Sequence, residues 1–292
     1  MRNRIMFPVL ALLLSLTGAE TSAQGLFDGF SDPRGQLTLA GSYTRSSFDQ
    51  VFIRENEIDF PFGETRSDIY AAYLGYGVSE QVDLMVNLPF INMEASQSND
   101  GSPEAPRVSG LQDLRIATEW LFYQRNGLNL TGGLEGSYPL GDYPGNQTVT
   151  IGFQNWSAGP RLMALYRNEL GLFASTGGGY TYRQTVNRRF DDVDYDAPDA
   201  FHYRAGLGYA GARIFVRFTY LRDDAFGDGV LGMAPLPEVS YRYDHLMANV
   251  YYQFSELFGA AVSGGQVVSG RNTNQITHWS VGLVCQLALL KG

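Results

Sequence analysis

Cysteine and lysine are almost absent from this sequence of 292 residues, and charged residues of either sign are scarce. Cys285 is the single cysteine, so an intramolecular disulfide is excluded and the fold must be stabilised without cross-links. Charged residues form 17% of the chain, whereas an average soluble domain has roughly 25%. This composition argues against a coiled coil, a disordered acidic tail and a highly charged cytosolic helical protein.

The chain has one short hydrophobic run, at its start. Arg2 and Arg4 precede the apolar stretch 5–16, and small residues follow at positions 21–23. This stretch is shorter than the about 20 apolar residues that a transmembrane helix needs. We therefore predict a signal peptide over residues 1–23 that is cleaved on export, and Gln24 excludes a lipoprotein, which requires cysteine there.

Basic residues are also few. The chain has 21 Lys and Arg against 30 Asp and Glu, a formal charge of −9 at pH 7. Proteins bind nucleic acid through basic side chains that neutralise phosphates. Nucleic acid is therefore not expected as a partner.

Alternation of apolar and polar residues with period two runs through the rest of the chain, and helical periodicity is missing. Leu84, Val86 and Leu88, for example, alternate with Asp83 and Met85. Such alternation is typical of strands whose two faces meet different surroundings. It predicts twelve strands, near 36–45, 67–78, 82–91, 111–122, 128–139, 155–166, 170–183, 200–209, 214–222, 240–253, 257–268 and 277–289. Their lengths approach the about 9–11 residues of a tilted strand that crosses a bilayer.

The connections between these strands alternate between short and long. The short set is 79–81, 123–127, 167–169, 210–213 and 254–256, and stretches such as 46–66 and 92–110 form the long set. This alternation is typical of an outer-membrane barrel with short periplasmic turns and long extracellular loops. We predict an all-β, closed, antiparallel up-and-down transmembrane barrel over residues 35–292, with a periplasmic segment at 24–34. A secreted β-sandwich is the soluble alternative.

Aromatic residues support the barrel, because they cluster near strand ends on the apolar face, where outer-membrane barrels carry interfacial girdles. The predicted girdle residues are Tyr70, Tyr76, Phe90, Trp120, Phe122, Tyr138, Trp156, Tyr166, Tyr180, Tyr182, Phe201, Tyr203, Tyr209, Tyr220 and Trp279. The expected location is the outer membrane of a Gram-negative bacterium. The expected partners are outer-membrane lipid, lipopolysaccharide, the barrel-assembly machinery and a small-molecule solute.

The polar face of each strand should line the lumen. Its ionisable residues are predicted to be Asp83, Asp113, Arg115, Glu119, Glu135, Arg161, Arg183, His202, Arg204 and Arg217. The third to fifth strands would form a mostly acidic wall, and the sixth to ninth strands a facing basic wall. These charges either fill a narrow lumen with structural salt-bridge networks or set up a field across a polar pore that orients dipolar solutes. A turn centred on Arg125 would set Arg115 opposite Glu135, and we predict a salt bridge between them.

Twelve strands lie between a packed eight-stranded barrel and an open porin of 16–18 strands, so strand number leaves both an open and a plugged lumen possible. Two segments could act as plugs. One is the segment 24–34, and the other is the first long loop, which is apolar at 51–53 and 58–62.

No chemistry of a metal or of catalysis is predicted. Asp191, Asp192, Asp194, Asp196 and Asp199 crowd one predicted outer loop, but Ala197 stands where a calcium loop needs glycine. A solvated loop is favoured over a metal site, and no cofactor is expected. The histidines, namely His202, His245 and His278, all lack the His-x-Ser-Asn-Gly context of outer-membrane phospholipases. We therefore expect no enzyme activity.

Two stretches resemble a known family. One is the run Tyr76-Gly77-Val78-Ser79-Glu80-Gln81-Val82-Asp83-Leu84 that continues to Leu88-Pro89-Phe90, and the other is Gly110-Leu111-Gln112-Asp113-Leu114-Arg115. Together they resemble outer-membrane barrels grouped as the MetA-pathway of phenol degradation, although Gln112 replaces the second glycine of the family pattern. The resemblance implies a porin-like channel or transporter for the passage or binding of small hydrophobic or aromatic solutes. A plugged barrel with a structural or surface-interaction role is the alternative, and a lipid hydrolase is favoured less.

Overall fold

A computed structural model describes residues 29–96, 107–141, 151–152, 155–188, 193–227, 229–231, 234–236 and 240–289. The predicted signal peptide lies outside these residues, as do Asp191 and Asp192 of the acidic loop. Within the described residues every regular element is a strand. No helix in this part of the chain is both long and apolar enough to cross a membrane.

Twelve long strands build the molecule, each confirming one of the predicted strands. They are β1 (Gln36–Phe48), β2 (Thr65–Ser79), β3 (Val82–Ala95), β4 (Arg107–Leu111 and Asp113–Arg125), β5 (Leu128–Pro139), β6 (Ser157–Arg167), β7 (Leu172–Arg183), β8 (Asp199–Ala210), β9 (Ile214–Phe226), β10 (Arg242–Gln253), β11 (Phe258–Arg271) and β12 (Thr277–Ala288).

Each strand pairs with the next one along the chain in antiparallel register, and β12 pairs with β1 from Gln36↔Ala288 to Ser47↔Thr277. The sheet therefore closes on itself and leaves no edge strand. Closure satisfies the backbone groups of every strand, which is what a sheet needs in order to sit in lipid. The predicted all-β closed antiparallel barrel is confirmed.

The connections follow the predicted alternation and define a short-turn end and a long-loop end of the barrel. Several strands run further toward the long-loop end than predicted: β1 reaches Phe48, β3 reaches Ala95 and β11 reaches Arg271. Backbone pairing of a hairpin can continue beyond the apolar band, and the side chains there no longer have to alternate. The apolar pattern therefore stops before the strand does.

Short strands decorate the long loops. The first long loop contains Gln50–Ile53 paired with Asn56–Asp59, and Thr273–Asn274 of the last loop pairs with the first of these. Four others form a second small sheet: Val186–Arg188, Val193–Asp196, Gly229–Leu231 and Ala234–Leu236.

The turn between β4 and β5 consists of two residues, Asn126 and Gly127, with φ of 50° and 80°. Two successive positive φ values are the signature of a type I′ hairpin turn, for which Asn-Gly is the preferred pair. A bulge between Leu121 and Tyr123 shifts the register of this hairpin. On the side of the bulge away from the turn, each β4 residue is therefore paired with a β5 residue one position nearer the turn than the turn alone would predict.

Apolar and aromatic side chains cover the outside of the barrel, as in Trp120, which is 56% exposed, and Tyr138, at 60%. Of the predicted girdle residues, all but Tyr76 and Tyr180 are exposed, and those two are half-buried. A soluble sandwich would bury these rings, so the outer surface fits a lipid environment.

The first long loop folds over the inside of the barrel at the long-loop end. Its apolar side chains join the largest buried cluster, whose members are Phe48, Val51, Phe52, Phe60, Phe62, Ile69, Ile91, Met93, Ala95, Val108, Ile151, Val267 and Ile276. We call this set the apolar cap. The inner surfaces of β2, β3 and β11 contribute to it, so the cap lies inside the wall.

At the short-turn end, residues 29–35 lie inside the barrel before β1 begins. The Gly35 amide donates to the Gly77 carbonyl at 2.7 Å, and the Asp32 amide donates to the Asp83 carboxylate at 3.3 Å. A Cβ at Gly77 would lie 2.2 Å from the Pro33 carbonyl oxygen. Glycine is thus required on β2 for this segment to approach so closely.

Candidate functional site

The lumen-facing side chains identify the candidate site. Burial alternates along each strand: on β3, Asp83, Met85 and Asn87 are buried while Leu84 is exposed. The ten ionisable residues predicted for the lumen all occupy the alternate positions of their strands that turn inward.

A chain of polar contacts begins on β4 and runs around the inner wall. Glu135 on β5 joins the first three strands of this chain, because Arg115 on β4 and Arg161 on β6 both donate hydrogen bonds to the Glu135 carboxylate. Arg115 Nε lies 3.2 Å from Glu135 Oε1, and Arg161 Nε lies 3.1 Å from Oε2. One carboxylate thus holds two guanidinium groups from the neighbouring strands.

From β6 the contacts pass on to β9. Arg161 Nη2 donates to Thr181 Oγ1 at 2.9 Å, and Thr181 Oγ1 lies 2.7 Å from His202 Nε2. The other ring nitrogen, His202 Nδ1, lies 2.7 Å from Asp223 Oδ2. Tyr243 on β10 donates to that same oxygen at 3.4 Å. We call this series from Arg115 to Tyr243 the polar belt, and each of the strands β4 to β10 supplies one member.

The predicted pair of Arg115 and Glu135 is present, but the register behind the prediction is wrong. Arg115 is paired with Ser137, and Glu135 with Ala117. The hairpin turns at Asn126-Gly127 and not at Arg125, so the turn alone would set Arg115 opposite Tyr138. The bulge at Leu121/Tyr123 then shifts the register by one residue, to Ser137. The pair still forms because both side chains turn inward and the arginine is long enough to reach the diagonal position.

The prediction of an acidic wall that faces a basic wall needs a correction. The acidic set on β3–β5 and the basic set on β6–β9 are neighbours in a closed barrel, because β5 pairs with β6. Glu135 and Arg161 form an ion pair across that boundary. The strands of the predicted basic wall also carry an acidic side chain, Asp223, which contacts His202. Attraction between adjacent strands therefore dominates over a field across the lumen.

Arg183 lies above the belt, toward the long-loop end. Its guanidinium donates to the Pro198 carbonyl, and its Nη2 donates to the Tyr241 hydroxyl at 2.7 Å. Tyr241 precedes β10 and is buried, and this burial raises the pKa of its phenol. Tyr241 thus stays a neutral hydroxyl that ties the arginine to the last strand of the belt.

The other predicted lumen residues lie outside the belt. Asp83 and Glu119 are register partners on β3 and β4, and both are buried. Asp83 accepts the amide of Asp32 from the segment before β1. The Arg217 guanidinium lies 5.5 Å from the centre of the Phe215 ring. Asp113 and Arg204 are half-buried on the inner wall.

Sequence reasoning missed three members of the belt, namely Thr181, Asp223 and Tyr243. All three occupy inward positions of the strands β7, β9 and β10. The lumen prediction names only charged and histidine side chains, which leaves out Thr181 and Tyr243, and Asp223 lies just beyond the predicted strand 214–222. A search for polar residues of any kind at inward positions of consecutive strands would have found them.

Thr181, His202 and Asp223 bring a hydroxyl, an imidazole and a carboxylate into the spatial order that the catalytic groups of many hydrolases have. The amino-acid sequence does not reveal this arrangement, because the three residues lie on three different strands. The Thr181 hydroxyl also accepts a hydrogen bond from Arg161, which makes it a link in the belt. Among the described residues, no group of three or more metal-ligating side chains is found.

Comparison with known proteins places this geometry in context. The family described as “Putative MetA-pathway of phenol degradation” matches residues 38–281. No curated protein matches the chain. An outer membrane channel from Pseudomonas putida F1 is similar in structure, with 12% identity, a TM-score of 0.77 and coverage of 93% of this chain and 99% of that one.

Two further solved barrels are similar at a lower level. The NanC porin has 7% identity and a TM-score of 0.52, over 86% of this chain and 100% of that chain. The translocator domain of the autotransporter NalP from Neisseria meningitidis has 10% identity and a TM-score of 0.50, over 87% and 89%. At such identities the likeness concerns the fold, which these structures share as outer-membrane β-barrels.

Proposed function

Since this chain belongs to the MetA-pathway of phenol degradation family, we propose that it is an outer-membrane channel for small hydrophobic or aromatic solutes. The match confirms the family resemblance predicted from the segments around Leu88-Pro89-Phe90 and Gly110–Arg115. The similar solved barrels include a channel and a porin, and an enzyme is not proposed.

The apolar cap is the observation that carries the proposal. The lumen of an outer-membrane barrel is generally polar, because it is filled with water or paired charges. Here the inner wall carries Ile69, Ile91 and Met93, and the first long loop adds Phe60 and Phe62 above them. These side chains are buried against one another, so a solute that parts them at the expected extracellular side would meet apolar surface, which favours the transfer of an apolar solute from water.

The polar belt is proposed to act below this entry. A solute that passes the cap next meets Arg115, Glu135 and His202 on one side of the lumen. Fixed charges and dipoles on one wall orient a solute that carries a polar group. We assign to the ten predicted lumen residues this lining role, with the belt members contacting the solute first.

The belt also favours a second candidate. A network in which each charge has a partner stabilises a barrel wall without conducting anything, as expected of a plugged barrel with a structural or surface-interaction role. The segment 29–35 and the first long loop would then be permanent plugs. The two candidates differ in one measurable property, which is solute flux.

Location and processing complete the proposal. The outer membrane of a Gram-negative bacterium would hold the barrel, after removal of residues 1–23 and insertion by the barrel-assembly machinery. The exposed aromatic girdle would contact lipid and lipopolysaccharide. Mass spectrometry of the protein purified from outer membranes tests the processing, because cleavage as predicted leaves Gln24 as the first residue.

Flux through the purified barrel tests the channel directly. Vesicles with a lipopolysaccharide outer leaflet would enclose a mildly alkaline buffer in a mildly acidic medium. 4-Nitrophenol added outside stays neutral there and absorbs strongly only once it is inside and ionised. The barrel should accelerate the rise in absorbance over empty vesicles. A matched variant, Phe60→Ser, should slow entry because it makes the cap polar, whereas Phe201→Ser on the outer face should not. Equal rates with and without the protein would refute the channel and favour the structural role.

A further inference from the structure

We propose that the short-turn half of the lumen holds a binding site for a single aromatic ring that carries a hydrogen-bond acceptor, between Phe30 and Asn87. The proposal deepens the channel function and rests on it, because the ligand would be the solute in transit. It depends on a cavity, on an unpartnered buried donor and on a ring supplied by the segment before β1.

The cavity lies inside the barrel, toward the short-turn end, and measures about 210 Å³. Aromatic rings supply much of its lining, including Phe30, Phe215, Tyr73 and Tyr251. An engineered apolar protein cavity of about 150 Å³ holds one benzene molecule. The volume here therefore suits one ring with a small substituent and is too small for two fused rings with substituents.

Asn87 supplies a buried polar group to the cavity, whose lining also contains Ser42, Arg167, Arg213, Asn249 and Gln253. The Asn87 side chain is 5% exposed, and its Nδ2 atom has no hydrogen-bond partner. Leaving a buried donor without an acceptor is unfavourable, so a native structure retains such a group mostly where something else satisfies it. A ligand acceptor, such as a hydroxyl, carbonyl or nitro oxygen, would satisfy this amide.

The position of Asn87 links the cavity to the path of the solute. Asn87 is paired with Tyr73 on β2 and with Arg115 on β4. Tyr73 lines the cavity, and Arg115 is the first member of the polar belt. A solute leaving the belt would thus reach Asn87 next, with its polar group already on that wall.

Phe30 forms the wall on the short-turn side. Its ring meets Phe173 and Phe215 edge to face, with centroids 5.3 Å and 5.6 Å away. Phe173 and Phe215 are stacked at 5.4 Å. Because Phe30 belongs to the segment 29–35, which the Asp32–Asp83 and Gly35–Gly77 hydrogen bonds anchor, displacement of that segment would open the site toward the periplasm.

Binding of two probes tests the site. The full-length processed protein in lipid nanodiscs would be titrated with 4-fluorophenol and with fluorobenzene, followed by fluorine NMR. Asn87→Leu should weaken 4-fluorophenol binding about 3- to 10-fold, the range that one hydrogen bond supplies, and leave fluorobenzene unchanged. Phe30→Leu should weaken both probes, and it alters no barrel strand.

Thr131→Val is the matched control, since Thr131 is a buried inward residue of β5 whose hydroxyl has no hydrogen-bond partner and which does not line the cavity. It should change neither affinity. Equal effects of Asn87→Leu and Thr131→Val, or no effect of either Asn87→Leu or Phe30→Leu, would overturn the site. Flux of 4-nitrophenol that persists in that case leaves the channel standing, whereas selective loss of binding in a barrel without flux supports the site and refutes the channel.

Discussion

The polar belt and the aromatic cavity occupy neighbouring levels of one lumen, and they solve the problem of buried polarity differently. In the belt, each polar side chain from Arg115 to Tyr243 meets a partner on the next strand. In the cavity, the Asn87 Nδ2 donor is buried without a hydrogen-bond partner. A connected network stabilises a wall, whereas an unpartnered buried donor in a cavity that aromatic rings help to line is suited to a ligand.

The largest effect should follow from breaking the belt at its centre. Glu135→Gln removes the charge that holds Arg115 and Arg161, and its side chain is only 12% exposed. Loss of one partner from a buried ion pair costs about 3–5 kcal/mol, so the free energy of unfolding should fall by that order. Denaturant unfolding of the refolded barrel, followed by tryptophan fluorescence, measures it.

Glu94→Gln is the control for this variant. Glu94 pairs with Arg107, but the two side chains are 44% and 67% exposed. Solvent screens such a pair, which limits the expected loss to about 0–1 kcal/mol. Losses of equal size in the two variants would contradict the view that the belt stabilises the wall.

The next effect should come from the middle of the belt. Thr181→Val leaves both Arg161 Nη2 and His202 Nε2 without this partner. The cost of unsatisfied buried polar groups predicts a loss of about 1–3 kcal/mol. Thr176→Val on the same strand points outward and should change stability by no more than about 0.5 kcal/mol. A Thr181→Val barrel as stable as wild type would show that the contacts carry no energy.

The cavity should respond differently, with a local effect and little global one. Phe30→Ala removes a half-buried ring packed on Phe173 and Phe215, whose contribution lies below the about 3 kcal/mol of a fully buried phenylalanine. Hydrogen exchange at residues 29–35 should rise by more than tenfold, while the unfolding midpoint of the barrel should hardly change. Arg34→Ala, at an exposed position of the same segment, should leave exchange unaltered. Protection that survives in Phe30→Ala would mean that the ring does not anchor the segment.

The smallest loss of stability is expected from an ion pair on the outer surface of the barrel. Arg45 pairs with Asp68 on the outer surface, beside the Tyr43 hydroxyl, with the arginine side chain 38% exposed. Arg45→Gln should therefore lower the free energy of unfolding far less than Glu135→Gln does, as denaturant unfolding would show. A loss as large as that of Glu135→Gln would erase the distinction between inner and outer ion pairs.

Much of the architecture could be predicted because every strand of a membrane barrel has a residue pattern that neighbouring positions reveal. Lipid on one side and lumen on the other force period-two alternation, as along Asp83, Leu84 and Met85. Asn126-Gly127 marks a tight turn through its positive φ preference. Twelve strands, the alternation of short and long connections and the family follow from such local features.

The site was less accessible, because its contacts join residues on different strands. The hairpin turns at Asn126-Gly127 and not at Arg125, and the bulge at Leu121/Tyr123 then shifts the register by one residue, so Arg115 is paired with Ser137 and not with Glu135. Period-two alternation places both side chains on the inner wall, but it does not fix which residues are register partners. The link from Thr181 to Asp223 through His202 likewise depends on how two further hairpins align.

The sequence by itself determined the closed barrel and the inward direction of its polar residues, because hydrophobic alternation and turn chemistry act over a few neighbouring residues. Only the tertiary structure decided that Phe30 reaches across the lumen to Phe173 and Phe215, and that Asn87 is left with an unpaired donor. Those facts depend on closure, which brings residues more than a hundred positions apart to the same level of one lumen.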